Sequence, residues 1–213
     1  MPGTVMACSP DGLEVAVLQV TNDILPYSGW LQIVDSNSGK VVAELRNALT
    51  GQGAWVAFSR DGHALGFTNA SADWISIVAV STGKVVNVLP RPRYQVVPTP
   101  AWLPDGRLAV PDPAKQVVRA FAIDGTETSA AIPYAPDLAI SSSGVILALD
   151  ITSTRILVQS PGGKRGTLDL GVYAMGSSQV RWSPDGNAAV IRGIVPMAQG
   201  ADTVQTAILV TIP

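Results

Sequence analysis

The chain has 213 residues, of which 47% are hydrophobic and only 14% are charged, with a formal net charge of −2. A typical soluble protein has roughly 25% charged residues. This composition therefore predicts either an unusually neutral surface or one that a partner partly covers. A general nucleic-acid binder carries a basic stripe, so the charge balance argues against that class and we expect no nucleic acid among the partners.

Cysteine content and hydropathy say little about the compartment in which the chain works. Cys8 is the only cysteine, so no disulfide bond can form within the chain. The N-terminal Met1-Pro2-Gly3-Thr4 lacks the basic and apolar regions of a signal peptide. No run approaches the roughly 18 apolar residues that a spanning helix needs. The sequence predicts a soluble chain with no membrane insertion and leaves its compartment unknown.

A four-residue signature recurs along the chain and divides it into five units. Its copies are Ser9-Pro10-Asp11-Gly12, Ser59-Arg60-Asp61-Gly62, Leu103-Pro104-Asp105-Gly106, a degraded Ser141-Ser142-Ser143-Gly144, and Ser183-Pro184-Asp185-Gly186. They start 50, 44, 38 and 42 residues apart, a mean of 43.5. A period of roughly 40–45 residues with several short strands per unit is typical of a β-propeller. The pattern predicts one all-β propeller domain over residues 1–213, with about five blades of four antiparallel strands.

The predicted strands follow the repeat in chain order. Units one and two contain Val5–Cys8, Leu13–Val20, Trp30–Asp35 and Val41–Leu45, then Trp55–Phe58, His63–Thr68, Trp74–Val80 and Val85–Leu89. Units three and four contain Pro100–Trp102, Arg107–Val110, Val117–Ala122 and Glu127–Ile132, then Leu138–Ile140, Val145–Leu149, Arg155–Gln159 and Thr167–Leu170. Unit five contains Val180–Trp182, Asn187–Ile191 and Thr206–Ile212. No window holds a helical period for three turns, so we expect no helix.

Unit five lacks an outer strand, and this leaves three interpretations open. The chain is a fragment of a longer propeller, a five-bladed ring with a three-stranded last blade, or a ring whose open edge a partner completes. An unpaired strand edge invites pairing with another chain. We expect Thr206–Ile212 to have unpaired backbone groups on one side, or to pair with something outside the five units.

The turns and the aromatic residues give local predictions. The glycines that end the turns, Gly12, Gly62, Gly106 and Gly186, should have positive φ, which glycine adopts at low cost. The residue before each turn should pack in the core, and these residues are Cys8, Phe58, Trp102, Ile140 and Trp182. Trp30, Trp55 and Trp74 begin strands and are also expected in the core or in an interface. His63, just after a turn, should be exposed.

The string Trp182-Ser183-Pro184-Asp185-Gly186 lies between two apolar strands and resembles the TolB-type propeller repeat, the W-S-P-D-G relative of the WD repeat. The segment from Thr82 to Val86 is similar to the turn of YVTN-type repeats. No Trp-Asp dipeptide occurs, so the chain does not resemble an ordinary WD-repeat protein. The resemblance implies the propeller fold. Such repeats occur in interaction modules, periplasmic binding scaffolds and the propeller domains of peptidases.

Motifs for common chemistry are missing. The string nearest to G-x-S-x-G, residues 176–180, fails at its last position, and His63 is the only histidine. One His and one Cys cannot form a four-ligand zinc site. We therefore predict no catalytic residue, no metal and no cofactor. An enzyme remains the alternative, either a small hydrolase-like propeller or the substrate-gating propeller of a longer peptidase. Its site would use paired carboxylates, and the candidates are Asp23, Asp73, Asp112, Asp150 and Asp202.

Blade topology indicates where a binding site would lie. The first and third connections of a blade share one face, and here they are tight turns. The opposite face, called the long-loop face, carries Thr21–Gly29, Arg46–Ala54, Pro90–Thr99, Gly171–Gln179 and Arg192–Asp202. Loops held by a rigid scaffold concentrate binding residues. This face is predicted to bind a protein or a small ligand, the latter in the central channel with Asp23, Asp202 or Arg192 as polar anchors.

The tyrosines favour a protein partner at this face. All four fall in its segments, together with two arginines of the run from Pro90 to Tyr94. Tyrosine and arginine are enriched where proteins are recognised. The predicted contact residues are Tyr27, Arg91, Arg93, Tyr94, Tyr134 and Tyr173. The sequence predicts a non-catalytic scaffold that binds its partner through these side chains.

Overall fold

The computed structural model of the chain describes residues 4–22, 28–49, 55–68, 73–90, 99–128, 132–135, 137–149, 154–174, 180–183, 186–195 and 204–211. Every regular element within these residues is a β-strand, so the all-β prediction is confirmed for them. The strands form antiparallel sheets that follow one another along the chain, numbered here sheet 1 to sheet 5. No helix able to cross a membrane is found in this part of the chain.

The first two sheets have their strands side by side in chain order. Sheet 1 contains β1 (Thr4–Cys8), β2 (Glu14–Asn22), β3 (Ser28–Asp35) and β4 (Val41–Leu49). Sheet 2 contains β5 (Val56–Phe58), β6 (Ala64–Thr68), β7 (Trp74–Ala79) and β8 (Lys84–Pro90). Both match the predicted units, with strand ends that differ by a few residues.

Sheets 3 and 4 repeat the same order. Sheet 3 contains β9 (Ala101–Trp102), β10 (Leu108–Asp112), β11 (Val117–Phe121) and β12 (Glu127–Thr128). Sheet 4 contains β13 (Asp137–Ile140), β14 (Ile146–Leu149), β15 (Arg155–Gln159) and β16 (Arg165–Asp169). The outer strand β12 is shorter than the predicted Glu127–Ile132, and residues 129–131 lie outside the described residues.

Sheet 5 departs from this plan. It contains β17 (Tyr173–Ala174), β18 (Val180–Trp182), β19 (Ala188–Val195) and β20 (Val204–Thr211). β20 pairs with the whole length of β19, so β17 and β18 share the other side of β19 and lie end to end. The sheet is therefore three strands wide, and among the described strands β20 pairs with β19 alone. The predicted incomplete last blade is confirmed.

The hairpin of β19 and β20 is longer than predicted. The expected strand Asn187–Ile191 continues to Val195, the residue before Pro196. Residues 196–203, which begin with Pro196, lie outside the described residues. The expected loop Arg192–Asp202 is correspondingly shorter, and Arg192 pairs with Ala207 in the ladder.

The chain also divides into two compact parts, each larger than a sequence repeat. They are called unit 1 and unit 2 from here on and are distinct from the five repeat units of the sequence. Unit 1 comprises Met1–Val97, Asp105–Leu108 and Ala120–Thr128, and unit 2 comprises Pro98–Pro104, Ala109–Arg119 and Ser129–Pro213. Sheets 1 and 2 belong to unit 1, sheets 4 and 5 belong to unit 2, and sheet 3 contributes residues to both. The single domain over residues 1–213 stays a prediction.

The core of unit 1 joins one face of sheet 1 to one face of sheet 2. Side chains alternate between the two faces of a strand, so Ala16 and Leu18 point to one side of β2, and Val15 and Val17 point to the other. We call the face that packs on the following sheet the trailing face, and the opposite one the leading face. Sheet 1 contributes its trailing face, Ala16, Leu18, Leu31, Ile33 and Leu45, and sheet 2 contributes its leading face, Phe58, Leu65, Phe67, Val78 and Val80.

The core of unit 2 joins the same pair of faces, the trailing face of one sheet and the leading face of the next. The trailing face of sheet 4 supplies Ala139, Leu147, Leu149 and Ile156, and the leading face of sheet 5 supplies Val180, Ala189, Ile191 and Val210. In both units one sheet packs on the next through the same pair of faces. The repeat in the sequence is thus a repeat in packing.

Two of the predicted core positions are exposed. Phe58 is buried as expected, and Trp102, Ile140 and Trp182 are half-buried, but Cys8 is exposed. Cys8 lies opposite Val15 on the leading face of sheet 1, whereas sheet 2 packs on the trailing face. Trp74 is 44% exposed because it begins β7, before the buried run that starts at Ile75. Trp30 and Trp55 are half-buried, and His63 is exposed as predicted.

Candidate binding surface at the long-loop end

The tight turns at one end of the sheets are closed by their own backbone. The four predicted glycines have positive φ, +74° at Gly12, +74° at Gly62, +83° at Gly106 and +73° at Gly186. The N–H of Gly12 donates to the carbonyl of Ser9 over 3.0 Å, and the same bond joins Gly62 to Ser59. The predicted turn geometry is confirmed.

Serine and aspartate side chains complete the first turn. The Ser9 hydroxyl donates to Asp11 Oδ1 at 2.6 Å and accepts the Glu14 N–H at 2.9 Å. Asp11 Oδ1 also accepts the Leu13 N–H at 3.0 Å. These bonds favour the ionised carboxylate, so the Ser9 hydroxyl, followed by the Leu13 N–H, holds the pKa of Asp11 below its usual value.

The other turns are closed in related ways. Ser59 donates to Asp61 Oδ1 at 2.7 Å in the second turn. In the third turn a leucine stands in the serine position, and Arg107 Nη2 pairs with Asp105 Oδ2 at 2.6 Å, which lowers the pKa of Asp105. In the fourth turn the Ser141 and Ser143 hydroxyls lie 2.9 Å apart. The serine and aspartate side chains of the first two turns are therefore engaged within their own turns.

The predicted contact residues are only partly described. Tyr134 is half-buried in unit 2. Tyr173 is not in a loop as predicted, because it begins β17 and pairs with Ile194 of the extended hairpin. Tyr27, Arg91, Arg93 and Tyr94 lie outside the described residues, so these four stay predictions.

The structure describes only some of the carboxylates that are candidates for an enzyme site. Asp112 is 5% exposed at the end of β10, and its Oδ1 accepts the Lys115 N–H at 3.3 Å. Asp73 is half-buried. Asp23, Asp150 and Asp202 lie outside the described residues. Within the described residues, no group of three or more His, Cys, Asp or Glu side chains is placed to hold a metal ion.

A strained residue in the hairpin after Asp112 was not predicted. Gln116 has a φ of +53°, and it is the non-glycine residue with positive φ in the described part of the chain. Such a conformation costs on the order of 1 kcal/mol or more and collects at functional sites and tight hairpins. Glutamine has no special preference for it, so the sequence offered only the Asp112-Pro113 pair as a sign of a turn.

An exposed ion pair lies at the same end of sheet 4. Arg155 Nε and Asp169 Oδ2 are 3.8 Å apart, and the two residues are paired across β15 and β16. Asp169 also accepts the Gly171 N–H at 3.0 Å, and this bond is the main cause of its lowered pKa. Exposed pairs of this kind contribute little to stability.

No protein-family model and no curated protein matches the chain. Solved structures do resemble it. The hydrazine synthase of Kuenenia stuttgartiensis is 15% identical over 98% of this chain and 63% of its own, with a TM-score of 0.63. A dihydro-heme d1 dehydrogenase, NirN, is 20% identical over 96% of this chain and 44% of its own, with a TM-score of 0.59.

A third similar structure is a proposed 6-phosphogluconolactonase from Bacteroides uniformis. It is 14% identical over 97% of this chain and 71% of its own, with a TM-score of 0.59. At these identities the likeness shows the fold alone. Together with the sheets described above, it shows that the chain has a β-propeller fold of about five blades, and the chain spans less than two thirds of the first two structures.

Proposed function

We propose that this chain is a non-catalytic propeller scaffold that binds a protein partner through its long-loop face. The observation that carries the proposal is the difference between the two ends of the sheets. At the turn end, serine and aspartate side chains bond within their own turns at 2.6–3.0 Å. Groups already bonded in this way offer little to a partner, so recognition falls to the opposite end.

The residue types at the opposite end support the same proposal. Tyrosine offers a large rigid surface with a polar tip, and arginine offers a planar set of donors. The sequence places Tyr27, Arg91, Arg93, Tyr94, Tyr134 and Tyr173 in the segments of that end. The TolB-type resemblance, which we retain as a proposal, fits a scaffold because repeats of this type occur in interaction modules.

A site-specific photocrosslinker tests the proposal in cells that express the chain. The crosslinking residue replaces Tyr94 in one variant and Thr82, which is exposed in the turn between β7 and β8, in the matched control. We expect a discrete crosslinked partner from position 94 and none from position 82. Equal crosslinking at both positions, or none at position 94, contradicts the proposal.

The identified partner then allows a quantitative test. Alanine at Arg93 or Tyr94 should weaken binding by about 1–2 kcal/mol, as for other Tyr and Arg anchors. The thermal midpoint of each variant should stay within a few degrees of the parent. Alanine at Thr82 should leave the affinity unchanged.

An enzyme with a carboxylate site is the second candidate, and Asp112 is the observation that favours it. A buried carboxylate at a strand end is a group that an active site can use, and one similar structure is a proposed lactonase. Hydrolysis of 6-phosphogluconolactone by the chain, abolished in Asp112→Asn, would support this candidate. No hydrolysis above the buffer rate rejects it as a lactonase.

A further inference from the structure

The leading face of sheet 2 is buried at its inner strands and exposed at its outer strand. Phe67 and Val78 on this face are at most 2% exposed and pack on sheet 1. Val85 of β8 lies on the same face because it pairs with Val78, and it is 54% exposed. Val88 pairs with Ser76 and is 47% exposed. Sheets 1 and 2 both belong to unit 1, so the whole surface lies within one compact part of the chain.

Sheet 1 covers this face unevenly. Its outer strand β4 contacts β6, and Ala43 of β4 lies against Gly83 in the turn before β8. On β7, Val78 near that turn is fully buried, whereas Trp74, four residues earlier on the same face, is 44% exposed. Trp74 pairs with Pro90, which is also exposed. The exposed part of the face is therefore a strip along β8 that widens away from the turns.

The outer edge of sheet 1 borders this strip. Among the described strands β4 pairs with β3 alone, so a further strand has room to pair on its other side. The ladder of β3 and β4 is regular from Ala43 to Arg46, and its register shifts at both ends of this run. An edge interrupted by bulges discourages pairing with a long strand. This edge therefore suits a short segment.

The size of the strip indicates what fits it. Its exposed apolar side chains, Trp74, Val85, Val88 and Pro90, together offer on the order of 300 Å², against about 800 Å² per partner in a stable interface of standard size. A second copy of the chain would find too little surface here. The strip is no more than two strand spacings wide, about 10 Å, whereas a helix with its side chains measures about 10–12 Å across. An extended segment fits it better.

The chemistry of the strip favours a protein segment over a lipid surface. None of the side chains paired on this face of β7 and β8 is charged. Membrane-binding surfaces surround their apolar residues with Lys and Arg, whereas an apolar peptide needs no such charges. Aromatic residues are enriched where proteins are recognised, and Trp74 is the aromatic residue of the strip.

We propose that an extended segment of a partner protein pairs with β4 as a fifth strand of sheet 1 and packs apolar side chains on Val88 and Trp74. Side chains of a strand alternate between its two faces, so every second residue of the segment contacts the strip. Backbone hydrogen bonds to residues 43–46 supply affinity, and the strip supplies selectivity. The proposal does not depend on the contact residues predicted for the long-loop face.

Short random peptides displayed on phage test the proposal, with the whole chain as bait. Clones that also bind Val88→Lys are removed, and a selected peptide is synthesised and measured by fluorescence anisotropy. We expect apolar residues at alternate positions of the peptide. Val88→Lys should weaken its binding at least about tenfold, because a charge is costly in an apolar contact. The matched control is Val117→Lys, which should bind like the parent, because Val117 is 43% exposed on β11 of sheet 3.

Two results of this selection would overturn the proposal. One is a selection that yields no peptide with a preference for the parent over Val88→Lys. The other is a peptide whose binding Val117→Lys weakens as much as Val88→Lys does. The thermal midpoints of both variants should stay within a few degrees of the parent, as at other exposed positions.

N-methylation of the selected peptide tests the added strand without changing the chain. A strand directs alternate N–H groups toward the neighbour with which it pairs. Methyl groups on every second nitrogen should therefore weaken binding at least about tenfold, and those on the nitrogens between them should have little effect. Methyl groups that act equally at all positions would contradict the pairing with β4.

Sedimentation with vesicles of phosphatidylcholine and phosphatidylserine tests the lipid alternative. The parent chain should stay in the supernatant. Binding to the vesicles that is lost in Val88→Lys and kept in Val117→Lys would overturn the proposal, because it would assign the strip to a membrane surface.

Discussion

Sheets 1 and 5 bury opposite faces although they share one repeat. In sheet 1 the trailing face is covered, and Leu31 and Ile33 are fully buried. In sheet 5 the leading face is covered by sheet 4, and Leu209 on the trailing face is 68% exposed. The comparison teaches that burial in this fold is decided by the neighbouring sheet.

The same contrast holds at the turns. The Gly12 turn of sheet 1 has open space where a Cβ would stand, whereas a Cβ on Gly186 of sheet 5 would meet the Ser143 backbone N at 2.9 Å. Ser143 also donates its hydroxyl to the Gly186 carbonyl at 3.2 Å. The turn of sheet 5 is packed on the turn of sheet 4, and the turn of sheet 1 is not packed in this way.

The largest effect is expected from shortening the same residue type on the two trailing faces. Leu31→Ala should lower the free energy of unfolding by about 2–5 kcal/mol, because it opens a cavity in a packed core. Leu209→Ala should change it by no more than about 0.5 kcal/mol, as at other exposed positions. Urea unfolding at low micromolar concentration measures both. A large loss for Leu209→Ala would mean that this face is already covered in a single chain.

Local chemistry explains how much could be predicted. The turns were predicted from sequence because proline, aspartate and glycine fix their geometry within four residues, and the φ values of Gly12 and Gly186 agree. The exposure of Cys8 and Trp74 was not predicted, because apolar character does not say which sheet covers a face. The hairpin from Ala188 to Thr211 was predicted too short, because strand length depends on pairing with β17 and β20.

The candidate site could be predicted only as a location. Loop positions follow from the blade topology, but the conformation of a long loop depends on contacts that no local pattern encodes. Tyr173 illustrates this limit, because it was predicted in a loop and lies in a short strand paired with Ile194. The strain at Gln116 had no signal in the residue type.

An intermediate effect is expected from adding a methyl group to the two turn glycines. Gly12 and Gly186 have nearly equal φ, +74° and +73°, so alanine meets the same backbone strain of about 1 kcal/mol at both. Gly186→Ala must also displace Ser142 and Ser143, and overpacking of this kind costs about 1–3 kcal/mol more. Thermal unfolding should rank the parent above Gly12→Ala and Gly12→Ala above Gly186→Ala. Equal losses would show that the turn of sheet 4 gives way freely.

The smallest effect concerns the ionisation of Asp11 in the turn of sheet 1. The Ser9 hydroxyl and the Leu13 N–H lower the pKa of Asp11 in the folded chain, whereas an unfolded aspartate has a pKa of about 3.9. A lowered folded pKa means that the contribution of Asp11 to stability is fully present above the unfolded pKa. It is lost as the pH falls through the folded pKa. Asp11→Asn should therefore be slightly less stable than the parent at neutral pH and equal to it in strong acid.

The cause of the shift can be separated from the packing of the turn. Ser9→Ala removes the hydroxyl that donates to Asp11 Oδ1, so the pKa of Asp11, measured by NMR titration of its carboxyl, should rise toward the ordinary value. Ser36→Ala is the matched control, because the Ser36 hydroxyl donates to the Gly12 carbonyl of the same turn at 2.6 Å. It should leave the pKa of Asp11 in place. If both variants raise that pKa equally, loosening of the turn accounts for the change, and sheet 1 depends on packing at its turn as sheet 5 does.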